Sequence, residues 1–185
     1  PLDVTRNDWI QWCVVAPRQI QTPEFARIHE VGPKVNEVLG IQTAMTHMEW
    51  FRRADGSVMV SEIGARPPGA QFTTLMSFAH GRNFYRAWAQ AVIDEVLDGP
   101  IERTHAAGCA YLRGPGQGKV ARVYHLDRAQ ALVGNLVVET SLPVPGRMKS
   151  THYEGDGYVI VRHPETKVVE DALKVIIETI KIEYI

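Results

Sequence analysis

HMEWFRRADGSVMVSEIGARPPGA, residues 47–70, decides how this chain is read. Two apolar-rich runs flank Asp55-Gly56, and Asp-Gly between alternating runs is among the strongest short-range signals for a β-hairpin. With the turn centred there, residues equidistant from it face each other, which sets Glu49 directly across from Glu62. A symmetric loop spanning Ala54–Ser57 leaves that pairing unchanged. Directly opposed residues bring their Cβ atoms to about 4.5–5.5 Å, and like charges at that spacing destabilise a sheet. Two such carboxylates share a proton or hold a cation. Magnesium suits them, because it takes hard oxygen ligands, commonly one or two carboxylates completed by substrate phosphates.

The neighbours fill out a site. Alternation places His47, Phe51 and Arg53 on the Glu49 face, with Val58, Val60 and Gly64 on the Glu62 face and Arg66 in the same parity beyond them. An arginine there can hold phosphate or carboxylate oxygens two at a time. Pro67-Pro68-Gly69 then ends the strand, since proline cannot continue a ladder. The same residues also fit a solvated hairpin whose glutamates splay outward beside Arg53 and Arg66, and spacing alone does not choose between the two.

Upstream, Trp9–Ala16 is a short β-rich run. Thr22-Pro23-Glu24 is a helix start, with a capping residue, a proline at the first helical position and an early acid. Phe25, Ile28, Val31, Val35, Val38 and Leu39 recur at helical spacing up to Gly40, and Gly32-Pro33 predicts a kink or two short helices. Downstream, Thr73–Ala79 reads as a short helix. Asn83 caps a longer one carrying Phe84, Ala87, Trp88, Ala91, Val92 and Val96. Gly99-Pro100 ends it, so residues 1–99 and 100–185 are the expected domains. In the second half AAGCAYL, KVARVYHL, GNLVVET and GYVIVRH read as strands, and 164–182 as a closing helix.

Composition narrows the function. The chain has 185 residues, 45% hydrophobic and 22% charged, with a net charge of −1. That balance offers no electrostatic case for nucleic acid or an anionic membrane. No apolar run approaches the roughly 18 residues of a spanning helix. Cys13 and Cys109 lack CxxC spacing, and the seven histidines make no HxH or HxxxH pair, so zinc and a disulfide framework are not expected. A reducing cytoplasm is the default setting. Arg113–Lys119, RGPGQGK, suggests a phosphate loop, but a strand pattern follows it where the anion-binding helix is needed. A flexible turn is the reading, with a lid over substrate as the other.

The motif H-M-E-W-F…D-G…E-I-G-A-R-P-P-G resembles the C-terminal part of the ATP-grasp fold, the family of biotin carboxylase, purine-biosynthesis ligases and L-amino-acid ligases. The likeness is densest over the hairpin and looser through the following helix and the tail. It implies an α+β fold: the C-terminal ATP-grasp subdomain, an antiparallel sheet with helices, followed by a small strand-rich domain closed by a helix. It also implies that Glu49 and Glu62 ligate the Mg2+ (or Mn2+) of bound ATP, with Arg66 as the anion-holding catalytic arginine. Gly64 stands where the family usually has a metal-binding Asn, which weakens or empties one ligand position.

On that resemblance the expected activity is an ATP-dependent ligase joining a carboxylate to an amine or thiol through an acyl phosphate. Only 46 residues, with Lys34 as their lone lysine, precede His47. The resemblance therefore implies a C-terminal, inactive portion whose partner is the N-terminal part of the same protein, with a homodimer as one compatible assembly. A non-catalytic binding module of the same fold and a two-carboxylate glycosidase are the alternatives.

Overall fold

The computed structural model describes Arg6, Asn7 and residues 10–185. In chain order the elements are β1 (Trp12–Ala16), α1 (Pro23–Val38), β2 (His47–Arg52), β3 (Val58–Gly64), α2 (Phe72–His80), α3 (Phe84–Ile93), β4 (Ala106–Leu112), β5 (Val120–Tyr124), α4 (Leu126–Val133), β6 (Val137–Ser141), β7 (Gly157–His163), α5 (Thr166–Thr179) and β8 (Lys181–Tyr184). Every strand pairing among the described residues is antiparallel, so the class is α+β as expected. The chain divides into two compact units. Residues 19–102 form one, and residues 103–185 form the other together with the chain up to Arg18.

Within 19–102, α1 begins as its sequence dictates, with Pro23 in the first turn and Glu24 beside the helix's positive end. Thr22 takes the extended capping conformation, but its side chain makes no cap hydrogen bond. Of the kink or two short helices expected at Gly32-Pro33, the two helices are absent: α1 is one helix of 16 residues with Pro33 inside it. Proline removes the N–H that would bond the carbonyl of His29. His29 is exposed and α1 buries no residue, so water can serve that carbonyl. Gly40, at φ +70°, ends the segment in a conformation that favours glycine.

α2 and α3 form a helical pair. Ser77 Oγ accepts from the Phe84 backbone N–H at 3.0 Å, and Leu75, Ala79, Phe84 and Ala87 are buried. Asn83 caps α3 as expected, its Oδ1 accepting from the Arg86 N–H at 3.0 Å. The helix stops at Ile93, short of the Val96 its pattern suggested.

The second unit is built on a four-stranded sheet ordered β1-β4-β7-β6. The Trp12–Ala16 run therefore pairs with β4, Val14 opposite Cys109, rather than joining its sequence neighbours α1, β2 and β3. Trp9 lies outside the described residues. α5 lies across one face of the sheet. Its approach is so close at Gly108 that an added Cβ would sit 2.5 Å from Leu173 Cδ1 and 2.8 Å from Val169 Cγ1. Leu112, Val159, Val161, Val169, Leu173 and Ile176 form the core of this layer. Two elements were not expected. LDRAQALV is the helix α4, and the helix foreseen to residue 182 ends at Thr179, so that β8 can pair with β5.

The glycine-rich loop leads into β5, a strand, and is fastened rather than loose. Lys149 Nζ donates to the carbonyls of Gly114 (3.0 Å) and Gly116 (2.8 Å) and lies 5.0 Å from the centre of the Tyr184 ring. Lys119 and Ile185 exchange backbone hydrogen bonds of 2.7 and 2.9 Å across its exit.

Candidate functional site

β2 and β3 form the hairpin, and its register places Glu49 opposite Glu62. The route to that pairing differs from the expected one. The Arg53 N–H donates to the Ser57 carbonyl at 2.9 Å and Gly56, at φ +81°, supplies the left-handed position of a three-residue turn. Near the turn the pairs are therefore Arg52 with Val58, Phe51 with Met59 and Trp50 with Val60. A bulge between Glu49 and Trp50 then absorbs Ser61, whose Oγ donates to the Glu49 carbonyl at 3.2 Å, and the ladder resumes with Glu49 opposite Glu62.

The bulge redistributes side chains. Val58 and Val60, expected beside Glu62, are paired with Arg52 and Trp50 on the other face and are half-buried. The carboxylate face instead carries Phe51 and Met59, which are 61% and 44% exposed. Sequence reading placed Phe51 here but missed Met59, because nothing in the alternation of β3 announces an extra residue. His47 pairs with Gly64, and its ring centre lies 6.3 Å from that of Phe72, a packing contact.

Glu49 and Glu62 are both exposed, and among the described residues neither carboxylate is hydrogen-bonded or ion-paired. The nearby arginines are engaged elsewhere. Arg52 pairs with Glu24 at 2.9 Å, Arg53 reaches Met59 Sδ at 3.8 Å, and Arg66 Nη1 donates to the Pro67 carbonyl at 3.0 Å. The glutamates are thus left as two adjacent, uncompensated hard-oxygen ligands, a donor set that fits a magnesium ion completed by phosphate oxygens. No group of three or more His, Cys, Asp or Glu converges among the described residues, so protein atoms alone would not complete such a shell.

Arg66 lies over Gly64: a Cβ at position 64 would stand 3.5 Å from Arg66 Cγ and 3.6 Å from its Nε. The missing side chain at 64 therefore leaves the space along which the arginine stem runs.

This architecture is that of the C-terminal part of ATP-grasp enzymes. The chain is similar to L-amino acid ligase from Bacillus licheniformis, with a TM-score of 0.77 at 20% identity over 94% of this chain and 44% of that one. Phosphoribosylglycinamide synthetase from Anaerococcus prevotii gives a TM-score of 0.72 at 16% identity over 94% and 45%. The biotin carboxylase domain of 2-oxoglutarate carboxylase from Hydrogenobacter thermophilus, in a dimer complexed with MgADP, ADP and bicarbonate, gives 0.65 at 17% identity over 92% and 39%. This chain thus spans less than half the length of each of these structures. No family model and no curated protein matches it.

Proposed function

We propose that this chain is the C-terminal portion of an ATP-dependent ligase, and that its hairpin holds the magnesium of the bound nucleotide through Glu49 and Glu62. The observation that carries this reading is the direct opposition of two unneutralised glutamates on a strand pair of ATP-grasp architecture. Bound Mg-ATP would supply a transferable phosphoryl group, and its charge is what these carboxylates and their cation would organise. Glu49 and Glu62 would hold the cation. Phe51 and Met59 give the same face an exposed apolar border. Arg66, swung out from Gly64, would hold anionic oxygens of the phosphate or of an acyl phosphate.

The substrates in this reading are a carboxylate, activated as the acyl phosphate, and an amine or thiol that displaces the phosphate. Residues outside this chain would complete the nucleotide cleft, so the chain alone is expected to be inactive, and the cell compartment is taken to be the cytoplasm. A non-catalytic module of the same fold is the second reading, favoured by Gly64 at a position where a side-chain ligand is usual. The glycosidase alternative finds less support, since an arginine, Arg66, accompanies the carboxylates and Trp50 alternates to the face opposite Glu49.

The test is the Glu62→Gln substitution in the complete protein, assayed for ATP-dependent ligation and for Mn2+-nucleotide binding. Loss of both supports the ligase. Retained ligation sinks the metal assignment. A wild-type protein that binds Mg-nucleotide but never turns it over favours the non-catalytic module.

A further inference from the structure

At one end of the four-stranded sheet, three strands deliver basic residues to one place. Arg162 on β7 stands opposite Ala107 on β4, which in turn stands opposite Ala16 on β1. Two residues beyond those partners, on the same parity, are His105 and Arg18. Arg162 Nη2 lies 2.9 Å from His105 Nδ1, and Thr104 Oγ1 lies 2.9 Å from the same nitrogen. A guanidinium can only donate, so Nδ1 is an acceptor and the ring is neutral, with its proton on Nε2. Arg162 Nε is shut from solvent with no acceptor. Burial, and after it the positive charges of Arg162 and Arg18, hold His105 below its ordinary pKa. Arg103 Nη1, donating to the Pro17 carbonyl at 2.8 Å, ties the end of β1 to the segment that leads into β4.

Among the described residues no acid acts on the imidazole, and these two bases, hydrogen-bonded to each other, have no counter-anion. We propose that this sheet end binds an oxyanion, a phosphoryl or carboxylate group, held by the open edge of the Arg162 guanidinium and the His105 Nε2–H within the positive field of Arg18. The anion would lower the cost of confining the guanidinium and give the imidazole Nε2–H an acceptor. The site uses neither Glu49 nor Glu62 and stands independently of the nucleotide reading.

The probe is inorganic phosphate, titrated at constant ionic strength with chloride into the chain while its imidazole resonances are followed by NMR. Acetate in a parallel arm distinguishes a phosphoryl from a carboxylate preference, either of which the proposal accommodates. A saturable shift centred on His105 is expected, with an upward move of its titration midpoint. Arg162→Gln should weaken binding about tenfold or more, the usual cost of losing a charge-assisted hydrogen bond. His105→Gln, which leaves Arg162 in place, should weaken it to a lesser degree and serves if the first variant fails to fold. A linear, non-saturating drift, or binding that both variants leave unchanged, overturns the proposal.

Discussion

Glu49 faces Glu62 across the hairpin, while Trp50, its neighbour in sequence, faces Val60. The ladder changes step between those two pairs, and the carboxylates stand just past the change. Like charges in direct opposition cost stability unless something positive lies between them. Replacing either with glutamine should therefore move two measurements in opposite directions. Metal-free thermal stability should rise slightly, by about 0.2–1 kcal/mol. Mn2+-nucleotide affinity, read by magnetic resonance on the complete protein, should fall about tenfold or more. A variant that loses stability without metal would mean that the pair is held by contacts other than a cation.

Gly64 offers the complementary change. A Cβ there meets Arg66 only at ordinary contact distances of 3.5 and 3.6 Å, and the backbone does not need glycine's left-handed conformation. Gly64→Asn should fold normally and add an oxygen ligand beside Glu62. The expected outcome is tighter Mn2+ binding with a melting temperature close to that of the parent. Unchanged binding would mean that the side chain at 64 points away from the cation.

Gly108 tolerates no such addition. A methyl group would press on Leu173 and Val169 of α5 at 2.5 and 2.8 Å and approach the Val14 carbonyl at 3.2 Å. Gly108→Ala should cost about 1–3 kcal/mol, the range for overpacking a filled core. Denaturant melts would show a lower midpoint with an unchanged slope. A second change, Leu173→Ala, should relieve part of the penalty, which a double-mutant cycle would detect.

Alkaline pH should destabilise the second unit over a defined window. Burial is the main cause that pushes the Cys109 thiol from 9.0 up to about 12, with its hydrogen bond to Tyr111 acting the other way. The Tyr111 phenol is also pushed up, first by burial and then by Cys109. Both groups keep their protons longer in the folded chain than in the unfolded one. Stability is therefore untouched below pH 9.0 and declines as pH rises from there toward about 12. Chemical denaturation at successive pH values would reveal that slope, and a flat profile across the window would contradict the burial of both groups.

Much of the fold was legible because its signals were local. AAGCAYL and GYVIVRH are runs of small and β-branched residues, and they are β4 and β7 to the residue. Asn83 announced α3 through the chemistry of a single cap. Elements set by distant partners escaped. β1 read as part of the N-terminal half, yet its ladder lies with β4, a partner far along the chain. β8 resembled the end of a helix until β5 claimed it. The candidate site was legible in its central pair, but Met59 and Val60 exchanged faces because a bulge leaves no mark on the alternation of a single strand. Arg162 and His105 could not be joined from sequence at all, since their closeness depends on two strands pairing across the sheet.

The Arg103–Pro17 hydrogen bond spans 86 positions of sequence. It fastens the two points at which the chain leaves the second unit and comes back. Residues 19–102 are therefore a cassette inserted into another unit, entered and left at adjoining points. Such a cassette can fold early and shorten the loop that β1 must close to find β4. It can also be cut out and replaced by a short linker, leaving β1 tethered beside its partner. The part of the chain with its own compact sheet and core would then be available without the hairpin, and the proposed oxyanion site could be studied apart from the glutamate pair.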